Sequence, residues 1–153
     1  NEFAADARSY GVLASLMAVG SLAAALIQAR RGRTDLKLVA LAAVAAGGAV
    51  ILAGLMPTVP TFAAALVACG AAALTMMTGA NSYLQTHTDA EHRSRVMALY
   101  MAVFFGTTPA GAPLIGMLAD DFGPRAAMVL PGAASLVMTA GLVAAFVWAR
   151  RRA

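Results

Sequence analysis

The sequence predicts an all-α integral membrane protein of five transmembrane helices, and three observations carry that prediction. Five apolar stretches, residues 10–29, 36–56, 62–84, 96–119 and 126–148, fill nearly the whole chain. At about 1.5 Å per residue each reaches roughly 30 Å, the thickness of a hydrocarbon core. Hydrophobic residues make up 61% of the chain and charged residues 12%, against about 25% charged in globular domains. The mean hydropathy of +0.77 agrees. Apart from Lys37 at the very start of the second, none of the stretches carries a charge, and Lys and Arg collect on one side of them.

The first stretch follows a short polar segment, residues 1–9, with no basic region ahead of it, so it does not read as a signal peptide. The chain opens on Asn1 rather than Met, and the expectation is a piece of something longer. The second stretch follows the basic turn Arg30-Arg31-Gly32-Arg33, with Thr34 placed to cap it. Pro57-Thr58-Val59-Pro60 breaks the chain into a hairpin between the second and third stretches. Thr88-Asp89-Ala90-Glu91 matches a capping box for the fourth. Gly123 ends the fourth, and Pro124 suits the first turn of the fifth. Pro109 and Pro113 inside the fourth stretch predict a bend there. No loop is long enough to hold a soluble domain, so residues 1–153 form a single transmembrane domain.

The net charge of +4 raises nucleic acid as a partner, but the distribution of the charge excludes it. Alternate threading of the stretches gathers Arg30, Arg31, Arg33, Lys37, Arg93, Arg95, Arg150, Arg151 and Arg152 on one side, nine of the eleven basic residues. Arg8 and Arg125 fall on the other. The positive-inside rule puts the nine, and with them the C-terminus, in the cytoplasm. The lipid bilayer is the partner this pattern implies.

Polar side chains are unevenly shared. The third stretch carries Thr75, Thr78, Asn81, Ser82 and Gln85, the fourth Tyr100, Thr107 and Thr108, and the first Ser15, Ser21 and Gln28. The second has no side-chain hydrogen bonder beyond Lys37, and the fifth has only Ser135 and Thr139 before Trp148 at its end. Polar groups in lipid turn toward protein or water. The first, third and fourth stretches are therefore expected to line an interior surface, with the second and fifth facing lipid. Met76, Met77 and Phe104 add soft and aromatic surface beside Asn81, Gln85, Tyr100 and Thr108. Together these seven are the candidates for a cavity that takes a small organic substrate.

Other chemistries find no support. There is no phosphate-binding loop, no HExxH and no nucleophile elbow, so no enzyme is predicted. His87 and His92 are five residues apart, which does not put two imidazoles on one helical face, and no metal site is predicted. Cys69 is the one cysteine, so the chain has no internal disulfide. No cofactor is expected.

The stretch Arg93-Ser94-Arg95-Val96-Met97-Ala98-Leu99-Tyr100 is followed by the Gly- and Pro-rich run 106–111 and by Gly116-Met117-Leu118-Ala119-Asp120-Asp121-Phe122-Gly123-Pro124-Arg125. This succession resembles the eleventh helix of major facilitator superfamily transporters, in the branch of enterobactin exporters and related drug-efflux proteins. Asn81-Ser82-Tyr83-Leu84-Gln85 resembles the end of the tenth helix, and Tyr10-Gly11-Val12-Leu13 with Gly20-Ser21 the start of the eighth. The resemblance implies helices eight to twelve of twelve, a partial C-terminal bundle. It also implies cytoplasmic loops after helices eight and ten, in agreement with the charge count. Arg30, Arg31, Arg33, Arg93, Arg95, Pro109, Pro113 and Asp120 fall at its gating and topology positions. The loop at 29–33 keeps the basic part of the family's gating motif and lacks its usual Asp.

The function so implied is secondary transport: export of drugs, siderophores or other small organic solutes by proton antiport across a bacterial inner membrane. The seven preceding helices would be the missing partner, since alternating access needs two bundles about a shared site. Two alternatives stay open, a complete five-helix scaffold and a permease subunit without transport activity of its own.

Overall fold

The computed structural model describes residues 7–31 and 34–152. Among them are five helices, each long and apolar enough to cross a membrane, and no strand. They are α1 (Ala7–Arg31), α2 (Leu36–Leu55), α3 (Val59–His87), α4 (Arg93–Phe122) and α5 (Pro124–Arg152). Four run past the stretches predicted from hydropathy, while α2 stops one residue short. Apolar runs stop at the edge of the hydrocarbon, whereas helical hydrogen bonding continues into the headgroup zone.

Between the helices the chain uses very short connections. Thr58 sits at the N-cap of α3 with extended backbone, and Pro60 occupies the first turn, where its missing N–H is harmless. The connection from α4 to α5 is Gly123 alone, at φ +86° and ψ 162°. That region is open essentially only to glycine. Its amide donates to Ala119 O at 3.0 Å and closes α4.

Two capping expectations are corrected. Residue 35 rather than Thr34 stands at the N-cap of α2, and its side chain makes no capping bond. The Thr88–Glu91 capping box does not form: α4 starts later, behind His92, also without a side-chain cap. A backbone turn takes its place, His92 N and Arg93 N both donating to Asp89 O at 3.0 and 2.9 Å. Arg93 Nη2 reaches back to Thr88 O at 3.3 Å. A cation is thus set against the carbonyl end of α3, where the helix dipole favours it.

Packing follows small residues. Helix α3 lies between α1 and α2, α2 also packs on α5, and α4 touches α5 and the end of α3. A β-carbon at Gly20 would overlap the Val67 carbonyl oxygen, and one at Gly70 would overlap that of Met17. The backbones of α1 and α3 are therefore in direct contact, the device by which small residues replace the hydrophobic effect in lipid. Ser21 Oγ crosses this seam to Gly70 O at 3.1 Å. Gly47 and Gly132 make a similar approach between α2 and α5. At the centre Ala49, Ala53 and Cys69 are buried, with Phe62 and Met128 against them.

Helix α2, expected at the lipid face, buries Ala42, Gly47, Ala49, Ala53 and Gly54 and keeps Leu41 and Leu52 exposed. Its one-sided packing comes from residue size, because its polarity is uniform. Helix α4 continues unbroken through Pro109 and Pro113, and among its described side chains none is buried.

Candidate functional site

A cleft of about 370 Å³ opens between the C-terminal part of α3 and the N-terminal part of α4. The short turn at residues 88–92 brings these two segments together. From α3 come Met77, Thr78, Asn81, Ser82, Gln85 and Thr86, two adjacent i, i+4 rows of one helical face. From α4 come the adjacent pairs Tyr100–Met101 and Phe104–Phe105, one turn apart. The cleft lies near one end of the bundle. Helix α3 reaches the thickness of the hydrocarbon core after about 20 residues, so Asn81 to Thr86, beyond that length from Val59, stand near the membrane–water boundary.

The aromatic side chains form a short ladder. The Tyr100 and Phe104 rings stack with centroids 6.2 Å apart. The Phe105 ring meets Phe104 edge-on at 5.5 Å. The Tyr100 hydroxyl donates to Met77 O at 3.4 Å and links the walls. Such ring pairs contribute beyond their buried area. Phe104 is 40% exposed and Phe105 67%, so one face of the ladder is open.

The polar wall is built on α3. Gln85 Nε2 donates to Asn81 Oδ1. Thr78 Oγ1 lies 2.7 Å from Leu74 O and 2.8 Å from Gln28 Oε1 on α1. A hydroxyl has one proton, and Gln28 Nε2 is buried without a partner. With the amide turned over, Nε2 donates to Thr78 Oγ1 while the hydroxyl donates to Leu74, and the buried N–H2 group is served. Gln28 thus ties α1 to the wall of the cleft from behind. All ten lining side chains are uncharged.

Five of the seven predicted cavity residues, Met77, Asn81, Gln85, Tyr100 and Phe104, come together here. Met76 does not line the cleft: it is half-buried, one residue and so about 100° round the helix from Met77. The Thr108 side chain lies outside the described residues. Thr78, Ser82, Thr86, Met101 and Phe105 complete the lining, and the i±4 and i+1 neighbours of the predicted set are the signal that finds them. Of the gating and topology positions, Arg30 is exposed near the end of α1, and Arg93 and Arg95 are exposed on the first turn of α4. Pro109 and Pro113 lie within α4, and Asp120 is exposed in its last turn. Arg33 and the Arg31 side chain lie outside the described residues. His87 stacks on Tyr83 at 4.0 Å. Among the described residues no three His, Cys, Asp or Glu side chains converge as a metal site.

Apolar helices of spanning length, joined by minimal turns and tied by glycine seams, define a multi-pass membrane protein. The sequence model of the Major Facilitator Superfamily matches residues 1–153, and the chain belongs to that superfamily. It is a membrane transporter protein. No curated protein and no solved structure matches the chain.

Proposed function

We propose that the chain is part of a secondary active exporter of small organic solutes, driven by proton antiport, and that the cleft between α3 and α4 takes part in handling the solute. The observation that carries this reading is the cleft itself. A concave surface of a few hundred Å³, apolar and aromatic with a few convergent polar groups, is the usual form of a small-molecule site. Export and proton coupling rest on the resemblance of residues 93–125 to the drug- and siderophore-efflux branch. On this reading α1 to α5 correspond to the last five helices of twelve, in a bacterial inner membrane with the C-terminus cytoplasmic. The cleft then opens toward the cytoplasm, the side from which an exporter loads.

The test is efflux from cells that produce the transporter. Asn81→Ala and Gln85→Ala are expected to slow export of at least one substrate about tenfold, the equivalent of one lost hydrogen bond, at unchanged membrane levels. Wild-type export of every substrate by both variants removes the cleft from the transport path.

A further inference from the structure

We propose that the cleft selects an uncharged aromatic solute that carries an amide-type edge, one hydrogen-bond donor beside one acceptor. This deepens the proposed function and rests on the reading of the cleft as a solute site. Two independent features lead to it. The first is charge: no Asp, Glu, Lys or Arg lines the cleft. Arg93 is turned back to Thr88 O, and His87, which bonds to Thr86 Oγ1 at 3.0 Å and stacks on Tyr83, does not itself line the cleft. A charged ligand entering between these walls would meet no counter-charge among the side chains that line them, and that disfavours ions of either sign.

The second is the valence of the amide pair. Two primary amides hold two N–H2 groups and two carbonyls between them. The Gln85–Asn81 bond uses one amide nitrogen and one amide oxygen. One N–H2 group and one carbonyl therefore remain without a partner among the described residues. Turning both amides over exchanges the roles but leaves the same remainder, so the conclusion does not depend on amide orientation. A primary carboxamide, a lactam or an imide matches that remainder, while a ring attached to it meets Tyr100 and Phe104. Those rings stand one helical turn apart on the facing helix, where planar groups gain from stacking.

The experiment measures binding to the purified protein in detergent by titration calorimetry, with four naphthalene probes that share one ring system. They are naphthalene-2-carboxamide, its N,N-dimethyl derivative, 2-naphthoate and 2-naphthylmethylammonium. The primary carboxamide is expected to bind about tenfold tighter than each of the other three, the step that one hydrogen bond or one desolvated charge supplies. The double variant Asn81→Ala/Gln85→Ala, which removes both amides where either single change leaves one N–H2 group and one carbonyl, is expected to remove that advantage, leaving the dimethyl amide within about threefold of its wild-type affinity. Phe104→Ala is expected to weaken every probe that binds. If an ion binds as tightly as the carboxamide, or if the carboxamide keeps its advantage in the double amide variant, the selectivity inference is overturned. The cleft reading stands in that case so long as Phe104→Ala weakens the probes. If no probe binds, or if Phe104→Ala changes nothing, the cleft reading and the inference fall together.

Discussion

At Gly123 one residue joins a helix of 30 residues to one of 29. Its φ of +86° with ψ of 162° leaves no comfortable conformation for a β-carbon, although the space around it is open. Gly123→Ala is therefore expected to lower stability by about 1–3 kcal/mol through the backbone alone, read as a loss of thermal stability in detergent. Thr78 makes a different kind of prediction. Its hydroxyl is the partner of the Gln28 amide across α1 and α3, whereas the Thr75 hydroxyl bonds only back to Ala71 O in its own helix. Thr78→Val strands a buried amide and is expected to destabilise by about 1 kcal/mol, near the average for interhelical bonds in membranes. Thr75→Val should be close to neutral, and equal effects of the two would refute the cross-helix link.

Among the elements, the α1–α3 seam shows what holds helices together when lipid removes the hydrophobic drive. Gly20 and Gly70 each face a backbone carbonyl of the other helix that a methyl group would strike. Gly20→Ala and Gly70→Ala are expected to push α1 off α3 and lower the unfolding midpoint by the equivalent of about 1–3 kcal/mol, the usual range for overpacking. Gly48→Ala, where nothing lies within 4 Å, serves as the control and should be neutral or slightly stabilising, since alanine suits a helix better. Helix α4 is the opposite case. Leu99, Val103, Phe105, Leu114 and Met117 are all exposed, so little but the Gly123 connection, its contact with α5 and the tip of α3 position it.

Taken as a whole, the molecule has its connections at two ends, the 88–92 turn with the C-terminus at one and residues 56–58 with Gly123 at the other. The basic residues concentrate at the first. The expected outcome of cysteine labelling, in a Cys69→Ala background, is that Thr58→Cys reacts with an impermeant maleimide in intact cells. Thr88→Cys and a cysteine at the C-terminus should react only after the membrane is opened. Reaction of Thr88→Cys and Thr58→Cys from the same side would refute the topology. With the expected labelling, the cleft faces the cytoplasm beside arginines that do not line it. Arg152 stacks over the Trp148 ring at 3.7 Å, an amphipathic pair suited to the interface at that end.

How much of this was legible beforehand differs with the physics of each feature. Length and hydropathy determined the number of helices, since spanning a bilayer needs about 20 apolar residues whatever they pack against. The meeting of Asn81, Gln85, Tyr100 and Phe104 was also legible, because an i, i+4 spacing puts each pair on one face and a short turn puts the pairs side by side. Met77 stands in the same i, i+4 row as Asn81 and Gln85, so that spacing separates it from Met76. The buried face of α2 was not legible, because it depends on how the helix is rotated about its axis, and a helix that is apolar all round carries no polarity to set that rotation. Only the tertiary structure decided it, through the fit of Gly20 to Val67, Gly70 to Met17 and Gly47 to Gly132, where the approach of two backbones selects one rotation out of many.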